Sequence, residues 1–256
     1  MKPTISRINL FSALGVLAFL LLWKVLSLSV KSGIIFPPPE LVLKTFALKL
    51  GKASFWREVG ASSLRVVEGF ALSFLAGFTL GIICGRHPRI NSLFQPTLSV
   101  IRVIPVLSVI LIAVLWFDSD QTAVFVVFLT SFPVICGTII EGTKSLDRGL
   151  EQMADCYGLD RKEKLLSVTV PQLYPFIIAA VKSSLGLTWK VVVAAEIISL
   201  PKYGIGSSIQ DSQLKIETGD VFAWTTAAVL ASALFELAAK ALFKKMDWRN
   251  RYAQAE

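Results

Sequence analysis

The sequence predicts an all-α, polytopic membrane protein with about six membrane-spanning helices, and three observations carry that prediction. Hydrophobic residues make up 54% of the 256, and only 17% are charged, against about 25% in soluble domains. The apolar residues fall in long runs, and roughly 18 or more in a row suffice to cross a hydrocarbon core of about 30 Å. Basic residues collect at the ends of those runs. The formal net charge of +8 would suggest nucleic acid in a soluble protein. Here the placement points to membrane orientation instead, and no nucleic-acid partner is expected.

The first span covers residues 8–30 and is interrupted by Lys24. Lys2 and Arg7 precede it as they would a signal peptide, but no A-x-A-like cleavage site follows, so it is read as a retained span. Phe36-Pro37-Pro38-Pro39 must be extended. Residues 40–56 read as a surface helix, with Leu41, Leu48 and Phe55 on its apolar side. The second span, 66–85, carries Gly69, Ser73, Gly77, Gly81 and Gly85 at every fourth position. Such a stripe of small side chains lets helix backbones approach closely in lipid. It is assigned to packing within the chain in preference to a dimer seam.

The third and fourth spans, 98–117 and 121–140, contain Pro105 and Pro133, which kink helices that neighbours can stabilise. The fifth lies within 173–200 and the sixth within 221–243, separated by a loop with Pro201, Gly204 and Gly206. With a cytoplasmic N-terminus, the inner segments hold Lys2, Arg7, Arg86, Arg89, Lys144, Arg148, Arg161, Lys162, Lys164, Lys244, Lys245, Arg249 and Arg251. The outer ones hold Lys31, Lys44, Lys49, Lys52, Arg57, Lys202 and Lys215. That bias places both termini inside.

The polar insertion 141–167 is structured. Leu146, Leu150, Met153, Ala154 and Tyr157 fall on one helical side, opposite Asp147, Arg148, Glu151 and Asp155. Gly158 suits a left-handed C-cap, and Asp160 with Glu163 can form a capping box for a second short helix. Two short helices meeting at a glycine make a knob suited to docking in a partner's groove.

At this segment the chain resembles the ABC importer permeases. Their cytoplasmic signature is Glu-Ala-Ala, three residues, Gly, nine residues, then Ile-x-Leu-Pro. This chain has Gln152-Met153-Ala154, Gly158 and Val168-Thr169-Val170-Pro171 at the same spacing. Further segments resemble the nitrate, sulfonate and taurine branch: Phe36 to Pro39, Ser63-Leu64-Arg65, Arg102-Val103-Ile104-Pro105, Leu115-Trp116-Phe117, Trp189 with Ala195-Glu196, and Gly204-Ile205-Gly206. Asp118 stands where that branch usually has Gly. The likeness runs over 36–248.

The resemblance implies a homodimer in the bacterial inner membrane, two ATPase subunits on the cytoplasmic side and a soluble binding protein outside. Residues 1–60 would carry the first span and an outer segment, and 61–250 the permease core, with coupling helices at about 146–168. It implies ATPase coupling for Glu151, Gln152, Met153, Ala154, Asp155, Gly158, Leu159, Asp160 and Pro171. The implied solute is small and often anionic, like a sulfonate, taurine or nitrate, or else a pyrimidine precursor of thiamine.

No cofactor is expected in this chain, ATP and magnesium belonging to the ATPase. The nearest phosphate-loop candidate runs from Gly137 to Ser145 but has Thr143 where lysine is required, with no strand before it. One histidine, His87, and three scattered cysteines make neither a catalytic set nor a metal pattern. Charges inside spans are costly. Lys24 and Lys240 lie near span ends, where they can reach the interface, while Arg102, Lys182, Lys190, Glu196 and Glu236 lie deeper. Arg102 is expected to pair with Glu196. Alternatively, Arg102 or Lys190 lines an anion pathway together with Glu196. The rival to an importer subunit is a stand-alone secondary transporter or channel.

Overall fold

A computed structural model describes residues 5–30 and 33–246; Lys2, Lys31, Arg249 and Arg251 of the orientation argument lie outside the described residues. The helices are α1 (Ile5–Val30), α2 (Pro39–Leu50), α3 (Ala53–Arg86), α4 (Pro88–Val103), α5 (Val106–Trp116), α6 (Ser119–Lys144), α7 (Arg148–Cys156), α8 (Arg161–Lys164), α9 (Val170–Ser199), α10 (Ile205–Leu214) and α11 (Thr218–Met246). No strand occurs among the described residues. Four helical stretches are long and apolar enough to cross a membrane: Ala53–Arg86, Ser119–Lys144, Lys162–Ser199 and Thr218–Lys244. The pair α4 and α5 is long and apolar enough only when taken together as one stretch, bent by 96° at its break, and α1 is apolar over Leu14–Val30.

Close packing sets the helix directions. An added Cβ at Gly69 would meet the Val127 side chain at 2.6 Å, at Gly77 Ile135 at 3.0 Å, at Gly81 Ile139 at 2.7 Å and at Gly85 Thr143 at 2.4 Å. The stripe therefore packs within the chain, as expected, and its constant register makes α3 and α6 parallel. Ser73 fits the same groove, its Oγ donating to Gly69 O at 2.7 Å. Parallel neighbours require the chain to return between them, so α4 and α5 together run back along the bundle. On its other side α6 meets α9 antiparallel: Phe176 lies over Gly142, Ser131 and Thr188 hydroxyls are 3.1 Å apart, and Ser199 Oγ donates to Ser119 O at 3.1 Å. α11 reverses again, with Trp189 edge-on to Phe235 and the Tyr174 hydroxyl donating to Phe243 O at 2.5 Å.

The bundle thus has two ends, one carrying α7 and the other carrying α2 and the 200–217 segment. At the latter, Phe36 and Trp23 meet Phe222, Phe55 stacks on Trp224, and Lys49 binds Asp220. Lys24 Nζ lies 2.5 Å from Glu40, and that ammonium holds the Glu40 carboxyl below the usual carboxylate range.

Three expectations need correction. The surface helix begins at Pro39, the last residue of the stretch expected to be extended, because proline is tolerated in a first helical turn, and it ends at Leu50, not Trp56. Gly51 and Lys52 break it, so Phe55 is a buried residue of α3, while Leu41 and Leu48 are exposed and Val42 is the buried one. The third span is not one kinked helix. Ile104 and Pro105 are both extended, and Pro105 caps the start of α5, as expected when the residue before a proline is driven out of the helical region. Finally, the stretch between Leu200 and Val221 is not all loop, since α10 fills it.

Candidate functional site

At the α7 end, Asp147 opens the knob, its side chain accepting from Gly149 N at 2.7 Å, while its own N–H donates to Gln172 at 2.8 Å. α7 then closes as the spacing predicted. Leu159 N donates to Ala154 O and Gly158 N to Asp155 O, each at 3.1 Å. With Gly158 at φ +68° this is the paired closure of a helix ending in a left-handed glycine. The capping box also forms: Glu163 N donates to Asp160 Oδ1 at 2.6 Å and Asp160 N to Glu163 Oε2 at 3.1 Å. Lys164 bridges back to Asp155 at 2.8 Å.

The second short helix is not separate. α8 passes through a π turn, Leu165–Thr169, straight into α9, with Val170 N donating to Leu165 O. A proline ring clashes with the carbonyl four residues back, and one extra residue in the turn relieves that clash before Pro171. Ala154 is 1% exposed, whereas Leu150, Met153, Tyr157, Leu165 and Leu166 remain exposed. Gln152, Asp155 and Gly158 are also exposed, and Glu151, Leu159 and Pro171 are half-buried.

At the opposite end three separate sequence segments converge on Glu196, which is fully buried. Its carboxylate accepts from Ser62 Oγ at 2.8 and 2.9 Å, Arg65 Nη1 at 2.5 Å and Gly206 N at 2.8 Å. Arg65 also donates to Tyr203 O at 2.7 Å and pairs with Asp120. Ser62 Oγ accepts in turn from Ile205 N at 2.8 Å, and Gly204 N donates to Glu58 at 2.5 Å. Both glycines are required by space. A Cβ on Gly204 would come 2.8 Å from the Glu196 carboxylate, and one on Gly206 2.4 Å from Val193 O. The network ties α3, α6, α9 and the start of α10 together. A cavity of about 900 Å³ adjoins it, lined among others by Arg65, Glu68, Asp120, Phe125, Lys202 and Tyr203.

The expected Arg102–Glu196 pair does not form. Arg102 Nη2 donates to Pro133 O at 2.6 Å, and its guanidinium lies where a Cβ on Gly137 would be, 2.0 Å from Nη2. Pro133 is about 20 Å along α6 from Asp120, the residue beside Glu196's real partner, beyond the reach of one side chain. In the sequence Arg65 stands only within Ser63-Leu64-Arg65, ahead of the second span. The signal that could have found it is its place a turn after Ser62 on the helix that carries the glycine stripe. Lys182 and Lys190 are exposed on α9, and neither forms an ion pair among the described residues. The Gly137-to-Ser145 stretch is the end of α6 and its cap, not a phosphate loop.

A bundle of long apolar helices with a helical knob at one end and a buried ion network at the other defines an all-α, polytopic membrane protein. More particularly, the chain belongs to the family of binding-protein-dependent transport system inner membrane components, whose pattern matches residues 77–252. It is 29% identical to the bicarbonate transport system permease protein CmpB of Synechococcus elongatus, over 81% of this chain and 78% of that one. Identity to the taurine transport system permease protein TauC of Escherichia coli is 27%, over 91% and 88%. For SsuC of Bacillus subtilis, described as an aliphatic sulfonates transport permease, it is 27% over 90% and 84%.

Proposed function

We propose that this chain is the membrane-spanning subunit of an ATP-driven importer of a small anionic solute. It crosses the bacterial inner membrane six times, with α7 and both termini in the cytoplasm. The solute class rests on the relatives, whose names specify bicarbonate, taurine and aliphatic sulfonates. ATP hydrolysis belongs to a separate ATPase that docks on the knob, and an extracytoplasmic binding protein delivers the solute to the opposite end.

The observation that carries this reading is the knob itself. Its two caps fix the Gly158 corner rigidly, while Leu150, Met153 and Tyr157 stay exposed on it. Rigid backbone with uncovered apolar side chains suits a partner's groove. A second observation favours a homodimer over a stand-alone carrier. Lys182 and Lys190 are exposed on a spanning helix, where contact with lipid would cost about 2.5–3.5 kcal/mol each on insertion scales. A second copy enclosing a water-filled pathway removes that cost and places Lys190 where an anion passes. Arg102, engaged by α6, braces the broken span instead.

Gly158→Leu tests the coupling role. A left-handed Leu costs roughly 1–2 kcal/mol locally, enough to reopen the corner without unfolding the bundle. Insertion should be normal, while co-purification with the ATPase and uptake should both fall sharply. Normal uptake by that variant would remove the coupling role.

A further inference from the structure

At the α7 end, behind the knob, a cavity of about 920 Å³ opens between the ends of α3 and α6, the start of α7 and the π turn. Its charged lining is Arg86, Lys144, Arg148, Lys164 and Glu151. Lys164 is already bound to Asp155. Arg86, Lys144 and Arg148 form no ion pair among the described residues, which leaves three cations facing one acid.

Helix dipoles account for two of these cations but not for the third. Arg86 and Lys144 sit in the last turns of α3 and α6, where the dipole favours positive charge. Arg148 opens α7, the end where the dipole disfavours it. The neighbouring Asp147 is engaged with Gly149 N and does not line the cavity. Three basic side chains from three elements, one at the wrong helix end, make a pocket whose positive charge Glu151 balances only in part. Guanidinium and ammonium donors brought together in this way match phosphate oxygens. Leu146 and Leu165 add apolar lining.

From this we infer that the cavity behind α7 binds a phosphate group, either the headgroup of an anionic phospholipid or a free phosphate compound. A phosphate seated there bridges the ends of α3 and α6 to the first turn of α7, and so steadies the knob on the bundle. The cavity shares no lining residue with the one beside the Glu196 network, and its occupancy can be measured without any solute.

The test uses the full-length protein purified in a neutral detergent. Native mass spectrometry reads its retention of added dioleoyl phosphatidylglycerol against dioleoyl phosphatidylcholine. The variant Lys144→Gln with Arg148→Gln should lose phosphatidylglycerol affinity by about tenfold or more. Lys144→Arg with Arg148→Lys should keep it, which separates charge from misfolding. Lys162→Gln with Lys244→Gln removes two exposed cations that do not line the cavity and should leave affinity unchanged. In the second arm, lipid-depleted protein is melted with and without inorganic phosphate at matched ionic strength. Selective lipid retention identifies the headgroup as the source, and phosphate stabilisation that vanishes in the cavity variant identifies a free phosphate compound. Equal loss in the cavity and control variants, or no effect in either arm, overturns the site.

Discussion

Replacing Arg65 by Met keeps much of the side-chain volume but leaves the Glu196 carboxylate buried without its cation. Removing one member of a buried ion pair costs about 3–5 kcal/mol. Glu196 has no exposed surface through which water could compensate. At about 2–4 °C per kcal/mol for a chain of this size, the melting midpoint should fall on the order of 10 °C. Glu196→Gln removes the charge but keeps an acceptor for Gly206 N, so it should cost less, about 1–3 kcal/mol. The double variant should then be more stable than Arg65→Met alone, because the carboxylate left without Arg65, that of Asp120, is exposed to water and no buried one remains. The assay is built into the chain. Cys84 and Cys136 are buried free thiols and Cys156 is exposed, so a thiol-reactive dye reports unfolding once Cys156 is replaced by Ser. A double variant no more stable than Arg65→Met would refute the pairing. The same cycle on Arg102→Gln and Glu196→Gln should show simple additivity, since those residues do not meet.

The other predictions follow from single contacts. Gly137→Ala should expel the Arg102 guanidinium and destabilise as much as Arg102→Gln, with little further loss when the two are combined; melting midpoints check this, and full additivity contradicts it. Cysteines introduced at Ser145 and Leu214, in a background without native cysteines, should label only from opposite faces of the membrane. Labelling of both from one side would break the crossing scheme. Lys190→Arg should retain more anion uptake than Lys190→Gln at equal expression, and equal uptake by both would remove Lys190 from the pathway.

Much of the local structure was legible because it obeys short-range rules. The glycine-and-serine stripe predicted close packing, and it is what α3 lays against α6. Gly158 and the Asp160–Glu163 pair predicted a glycine-ended helix and a capping box, and both form. Caps and small-residue stripes are settled within a turn or two of chain, so residue type and spacing suffice. Pairing of charges is different. Arg65, Asp120 and Glu196 are far apart in sequence and become neighbours only when α3, α6 and α9 share one end of the bundle. Arg102 lay as plausibly near Glu196 on composition alone, yet the register of α6 holds it against Gly137 and Pro133 instead. The break at Pro105 likewise needed three dimensions. A proline inside an apolar run permits either a kink or a full turn of the chain, and the 96° bend accompanies two parallel helices between which the chain has to return. Composition, periodicity and caps are properties of neighbouring residues and stand in the sequence by itself. Which buried charge meets which is decided by helix register and direction, and only the tertiary structure supplies those.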